Sequence, residues 1–340
     1  MSSAPSSAPT SAATSTSTLQ VGLHLSSEEH DARTLVETAA MAEALGFGSC
    51  SISDHYHPWA DSQGHSPAVW PVVGGIATAT DDLEVGTLVT CPILRFHPAL
   101  VAQAAATAAT MAPGRFFLGV GSGERLNEHV LGQHWPTAGV RLRMLEEAVE
   151  VIRRLWTGDL VSHHGEFFTV ENARLYDVPD EPPPIYVAAA GPVALDLAGR
   201  IGDGLVALSP DAEMVETFRE KAGADAPVVG MEHVCVAPSV DEALEVVDRW
   251  WPHAGVPSAL NAELPLPAHF EAAAEPVTAD QVRDQMVLGD DVGAHVDLVR
   301  RFAEAGFDRL WIHQIGPDQE RAARFYVDDV APAVESARIG

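Results

Sequence analysis

The sequence predicts an α/β protein folded as a closed (β/α)8 TIM barrel, and three observations carry that reading. Strand-like apolar runs alternate with helical periodicity from residue 19 to the end of the chain. About eight such units fit into roughly 300 residues, the size of one closed barrel. Two of the strands end abruptly in polar and glycine residues, Ser51-Ile-Ser-Asp-His-Tyr-His-Pro-Trp59 and Gly119-Val-Gly-Ser-Gly-Glu124. Sustained alternation implies a parallel sheet. A strand end that opens onto the C-terminal mouth is where such a barrel keeps its chemistry.

The elements follow in order. Residues 19–25 read as a strand, and residues 28–45 as an amphipathic helix closed by Gly46. Residues 49–53, 83–90 and 116–120 read as strands, with an Ala-rich helix over 98–111 between the last two. A helix is predicted over 141–156. The later strands are 185–189, 204–208, 228–237 and 309–314, with helices over 193–201, 212–222, 241–251 and 292–305. Two segments break the rhythm. Residues 161–170, with Gly165 near the centre, predict a small hairpin, and the Pro- and Ala-rich stretch 252–278 predicts an excursion near the barrel mouth. Neither a composition shift nor an internal repeat marks a second domain, so residues 19–340 are expected to form one.

Composition narrows the function classes. The chain holds 48 acidic against 20 basic residues, a formal charge of −28, and Lys221 is its single lysine. Phosphate contacts need clustered Lys and Arg, so nucleic acid is excluded as a bulk partner. Acid-rich, lysine-poor surfaces suit concentrated salt, where screening shortens self-repulsion, and a halophilic source is expected, the alternative being a GC-rich genome that favours arginine. No apolar run reaches the roughly 18 residues of a membrane span. Cys50, Cys91 and Cys235 sit singly in apolar runs, which implies reduced core thiols in a cytoplasmic protein. Residues 1–18 are Ser, Ala, Thr and Pro without charge, and are expected to be a disordered tail; they lack the apolar core of a signal peptide.

Several residues could carry chemistry. Asp54-His55 stands at the rim of the second strand, where a histidine can exchange a proton near neutral pH and a neighbouring carboxylate can fix its tautomer. The alternative is a structural Asp54 beside a solvent-facing His55. Glu124 follows Gly119, Gly121 and Gly123 at the fourth strand's rim, either as a proton donor or acceptor or as a helix-starting acid. The glycine loop lacks the full dinucleotide fingerprint. Ala188-Ala-Ala-Gly-Pro192 ends the fifth strand and opens a helix, a seat for a phosphate or ring edge, or a plain tight turn. No metal-ligand spacing and no nucleophile elbow occurs.

At these residues the chain resembles the luciferase-like superfamily, and more narrowly the group of deazaflavin enzymes around glucose-6-phosphate dehydrogenase, which use coenzyme F420. SDHYHPW, LRFHPAL, FFLGVGSGERLNE, LWTGD, LYDVP, AAAGP and GRIGDG carry the resemblance in order. It implies a luciferase-like barrel with the deazaflavin across the mouth. Asp54, Ser122, Gly123 and Asn127 would line the ring; Ala190, Gly191, Val193 and Ala194 would meet the ribityl-phosphate arm. Leu88 and Val89 occupy the family's bulge behind the ring, and Cys91 stands where its sugar-phosphate enzymes carry threonine. The resemblance makes His55 the base at the substrate hydroxyl, Glu124 the group that protonates the reduced ring, and Trp59 the shaper of the substrate side. A homodimer acting on a small molecule is expected by the same analogy.

The departures bear on substrate. The sugar-phosphate enzymes hold the phosphate with two lysines and an arginine. Here Asp211 stands at the first lysine's place, next to Leu208 in the expected substrate pocket; Lys221 is ten residues on, and the region of Asn261 has no cation. Gln285 replaces the arginine, with Arg283 nearby. The expected reaction is therefore hydride transfer between an alcohol/carbonyl pair and F420, with glucose 6-phosphate not the substrate. Its alternatives are F420-dependent glucose-6-phosphate dehydrogenation, FMN-dependent luciferase-like monooxygenation, methylene-tetrahydromethanopterin reduction, or a non-catalytic cofactor-binding barrel.

Overall fold

A computed structural model describes residues 19–334 and 337–339; the 18-residue tail considered above lies outside the described residues. Eight parallel strands form the barrel: β1 (Leu19–Leu25), β2 (Ser49–Ile52), β3 (Glu84–Thr87), β4 (Phe116–Val120), β5 (Ile185–Ala188), β6 (Gly204–Val206), β7 (Val228–Cys235) and β8 (Arg309–Gln314). Each pairs with the next, and β8 returns to β1, so the sheet has no free edge within the ring. The outer helices are α1 (Ala32–Ala44), α2 (Val69–Ala79), α3 (Pro98–Met111), α4 (Ala138–Leu155), α5 (Pro192–Ile201), α6 (Ala212–Ala222), α7 (Val240–Trp250), α8 (Val292–Glu304) and α9 (Gln319–Phe325). Among the described residues, no helix is long and apolar enough to cross a membrane.

The main core lies between strands and helices, because each strand alternates an outward apolar residue with an inward one. Leu23, Ile52, Val85 and Leu118 pack outward against Leu35, Ile76 and Val101. The lower barrel interior is filled by rings: Phe117 stacks on Trp311 at 5.3 Å and on Tyr186 at 5.1 Å. Glycine makes room for them, since a Cβ on Gly86 would fall 2.4 Å from the Phe117 ring.

Four local features differ from the sequence expectation. The first helix starts at Ala32, not at Glu28, because the Asp31 carboxylate accepts from the Arg33 and Thr34 amides and caps it there. Helix α2 was not anticipated: Pro71, Gly74 and Gly75 weaken its helical signal. Packing overrides that propensity, with Val69, Val72, Val73 and Ile76 buried and Gly75 lying against Val36. The third strand ends at Thr87 instead of Thr90; the following Leu88–Val89 peptide is cis, at the position of the expected bulge, and Thr90 bridges to Val120. The excursion is largely helical, with short helices Ser258–Asn261, Pro267–Ala274 and Ala279–Gln285, and it adds Val287–Leu288 beside β7. The hairpin is present as paired strands Val161–His164 and Thr169–Ala173.

Candidate active site

The loops after β1, β2 and β4 meet at the mouth. His55 Nε2 lies 3.3 Å from Glu28 Oε1 and 3.6 Å from Glu124 Oε2. Its other nitrogen, Nδ1, is 3.1 Å from the His57 carbonyl. A carbonyl only accepts, so Nδ1 carries the hydrogen and donates it, which turns Nε2 toward the two carboxyl groups. Trp59 covers the ring with its centroid 4.9 Å away. The Gln63 carboxamide oxygen accepts from the Trp59 and Ala60 amides and fixes that turn.

Glu28 was not singled out from the sequence, yet its carboxyl is the one nearest His55. Starting the first helix at Ala32 leaves residues 26–30 as a polar burst at the β1 rim, the same signal that marked the other two strand ends. Burial by itself would raise its carboxyl. The adjacent His55 and the Ser53 hydroxyl, which donates to Oε2 at 2.5 Å, outweigh this and hold it near 2. Glu124 behaves oppositely. Its side chain is a third exposed toward the mouth, but desolvation by the surrounding protein dominates and pushes it up to about 7, with His55 opposing. Two carboxyl groups on one imidazole are thus split, one ionised and one able to exchange a proton near neutrality.

Asp54 is placed behind this pair. Its side chain is fully buried, with Oδ2 accepting from Thr90 Oγ1 at 2.8 Å and Oδ1 from Arg95 at 2.9 Å. Arg95 also lies 3.5 Å from Glu128, whose other oxygen accepts from the Arg95 amide. This Asp54–Arg95–Glu128 cluster pins the second and fourth rims together. Asn127 does the same nearer the surface: its Oδ1 accepts from the Tyr56 and His57 amides, and its Nδ2 is 3.4 Å from Glu124.

The glycine ramp is shaped by close packing. Gly123 has φ +76° and leaves no room for a Cβ, which would fall 2.4 Å from Cys91 Sγ; Ser122 beside it is partly exposed. Leu88 and Val89 form a partly buried apolar floor with Ala188 and Met231. Across the mouth, Gly191 caps α5 without a side-chain hydrogen bond, and a Cβ there would meet nothing within 4 Å. Ala190, Val193 and Ala194 border that opening, Val193 being 69% exposed. These residues fit a flat ligand with an anionic arm: a backbone ramp for ring edges, and open first-turn amides of a ten-residue helix for phosphate.

On the expected substrate side, Leu208 is exposed, and Asp211 spends Oδ1 on the Glu213 and Met214 amides as the cap of α6. Lys221 is ion-paired to Asp196, and Arg283 to Asp280 at 3.0 Å. The wall next to Trp59 is made instead by residues the sequence reading missed, His24, His233, Trp251, His253 and His313, on β1, β7, β8 and the segment after α7. Histidines alternating with apolar residues in LHL, MEHVC and LWIHQ were the available signal.

Comparison with known proteins places the chain in a family. Residues 14–309 match the family model described as luciferase-like monooxygenase. The F420-dependent glucose-6-phosphate dehydrogenase of Microbacterium testaceum is 35% identical over 330 residues, covering 92% of this chain and 97% of the relative. The enzyme of the same name from Nakamurella multipartita is also 35% identical, covering 94% and 97%. Among solved structures, an F420-dependent secondary alcohol dehydrogenase in complex with an F420–acetone adduct superposes with TM-score 0.86 at 31% identity, covering 94% and 99%. The coenzyme F420-dependent tetrahydromethanopterin reductase of Methanopyrus kandleri shares the fold at 21% identity and TM-score 0.74. The chain, a barrel matched over nearly its whole length by these proteins, belongs to the luciferase-like family, on its branch of F420-dependent oxidoreductases.

Proposed function

We propose that the protein is an F420-dependent oxidoreductase that interconverts an alcohol and its carbonyl compound. The observation that carries this reading is the His55 Nε2 atom, held between Glu28 and Glu124 beside Trp59 at the barrel mouth. Coenzyme F420, when bound, supplies the carbon that accepts hydride from the carbinol carbon. His55 takes the hydroxyl proton at Nε2. The ionised Glu28 stabilises the imidazolium so formed, and the His57 carbonyl keeps the ring oriented. Glu124 manages the second proton, because its carboxyl exchanges near neutral pH. The cofactor-lining roles of Ser122, Gly123, Asn127, Leu88, Val89, Cys91, Ala190, Gly191, Val193 and Ala194 belong to the same reading. For Asp54 it assigns a contact made through the Arg95 and Thr90 network beneath the slot.

Glucose 6-phosphate is not the substrate on this reading. Lys221 and Arg283 are committed to Asp196 and Asp280, and Asp211 caps a helix where a phosphate cation is needed. We further infer a cytoplasmic, dimeric enzyme from a salt-rich setting. The free, buried cysteines and the charge of −28 support the compartment and the salt, and the dimer rests on the family resemblance alone. The test is a spectrophotometric screen of alcohols with purified F420 and His55→Ala. Loss of turnover with F420 affinity retained supports the assignment. Tight, saturable turnover of glucose 6-phosphate refutes the substrate claim, and tight binding of FMN in place of F420 refutes the cofactor.

A further inference from the structure

The barrel interior carries a polar layer that proton transfer does not use. Two residues above the aromatic floor, adjacent strands present His233 of β7, His313 of β8 and His24 of β1. His313 and His233 are register partners, as Trp311 and Met231 are one layer below. The His313 ring centroid lies 4.9 Å from that of His233 and 5.0 Å from that of His24. Trp251 stands 4.7 Å from His313 and 4.7 Å from His253, and His253 stacks on Trp59 at 5.2 Å. Trp59 in turn touches His55, so the rings form one continuous surface leading from the reacting imidazole into the barrel. Barrel layers are ordinarily filled with branched apolar side chains. Three imidazoles in the layer that faces the mouth are a departure with a chemical consequence.

Hydrogen-bond accounting defines that consequence. His24 Nδ1 pairs with Ser51 Oγ at 2.9 Å, and His313 Nε2 with Glu29 at 2.7 Å. The Nδ1 atoms of His313 and His253 are buried and have no partner among the described residues. The two side chains are 1% and 6% exposed, and polar atoms buried this deeply are ordinarily paired. Burial holds His24, His253 and His313 near 3 and His233 well below its usual value, so the layer is uncharged at neutral pH. The acidic group acting on all four is the ionised Glu28, and among the described residues no Lys or Arg is a leading influence on any of them. The rings do not converge as metal ligands would: among the described residues, no group of three His, Cys, Asp or Glu is placed to hold an ion.

We propose that this imidazole layer is a substrate subsite for a neutral polyhydroxylated alcohol, an unphosphorylated sugar or polyol, whose hydroxyls pair with the His313 and His253 nitrogens. The inference rests on the F420-dependent alcohol/carbonyl reading above and narrows its substrate class. A simple alkanol leaves both nitrogens unpaired. A phosphate ester meets ionised Glu28, and among the described residues no Lys or Arg is paired with that carboxylate to offset it. The flat faces of Trp59 and Trp251 suit the C–H face of a polyol chain or sugar ring.

The test uses the purified full chain. Binding of F420 is followed by its fluorescence, and reduction rates are then compared for unphosphorylated aldoses and alditols, propan-2-ol and glucose 6-phosphate. The expected result is a kcat/KM for at least one neutral polyol about tenfold or more above both other substrates. His313→Phe keeps a ring and removes the nitrogens, and should lower the polyol-to-propan-2-ol ratio of kcat/KM about tenfold, the value of one hydrogen bond at about 1.4 kcal/mol. His253→Phe, outside the barrel wall, provides the same readout should His313→Phe not fold. F420 binding together with preferred turnover of propan-2-ol or glucose 6-phosphate, or no polyol turnover, overturns the subsite. So does an unchanged substrate ratio in both variants, as a purely structural role would give. Failure to bind F420 overturns the cofactor reading itself and the subsite with it.

Discussion

Replacing Glu28 by Gln isolates the charge that the site places on His55. The side chain is 3% exposed and keeps its shape in the variant, so packing changes little while the carboxylate 3.3 Å from Nε2 becomes neutral. A unit charge pair at that distance is worth about 5 kcal/mol at an effective dielectric of about 20, an upper bound. A hydrogen bond to a charged group is worth about 1.5–3 kcal/mol. On the proposed mechanism this loss falls on the step in which His55 takes the hydroxyl proton, and kcat should drop roughly 10- to 100-fold with little change in KM. The same substitution has a stability signature. The folded carboxyl lies near 2 against an ordinary 4.5, so ionised Glu28 stabilises the fold above pH 4.5, and that contribution is lost as pH falls toward 2. Acid unfolding of Glu28→Gln should therefore be shallower over that window. Steady-state kinetics and pH-dependent denaturant melts measure both. A kcat within threefold of wild type would refute the claim that Glu28 supports His55.

Two further outcomes follow from the same geometry. Glu124 is held near 7 by desolvation, so alcohol oxidation that needs its protonated form should decline as pH rises through about 7; Glu124→Gln should remove that decline from the kcat profile. Arg95→Met leaves Asp54 and Glu128, both fully buried, without their shared cation. It should cost about 3–5 kcal/mol, read as a fall in the denaturant midpoint, whereas a loss below about 1 kcal/mol would contradict the cluster's role.

All eight barrel strands were legible in the sequence, because period-2 apolar runs ending in glycine or polar residues survive any detail of packing. Helix α2 was not, since its glycines are chosen for contact with Val36 and not for helicity. The site divides along the same line. His55, Trp59 and Glu124 announced themselves through strand-end motifs. Glu28 was hidden by a helix start misplaced by four residues, a position that Asp31 alone decides. The imidazole layer was hidden because its members come from three strands and one insertion, and only register places His24, His233 and His313 on one level. Arg95 is likewise a long-range partner: local sequence cannot show that it spans Asp54 and Glu128.

Isotope transfer tests the central claim most directly. With F420 and an alcohol deuterated at the carbinol carbon, the label should appear in the reduced deazaflavin, with a primary isotope effect on kcat that persists in Glu28→Gln. Recovery of the label in solvent water, or in a product formed without deazaflavin reduction, would contradict hydride transfer at this site.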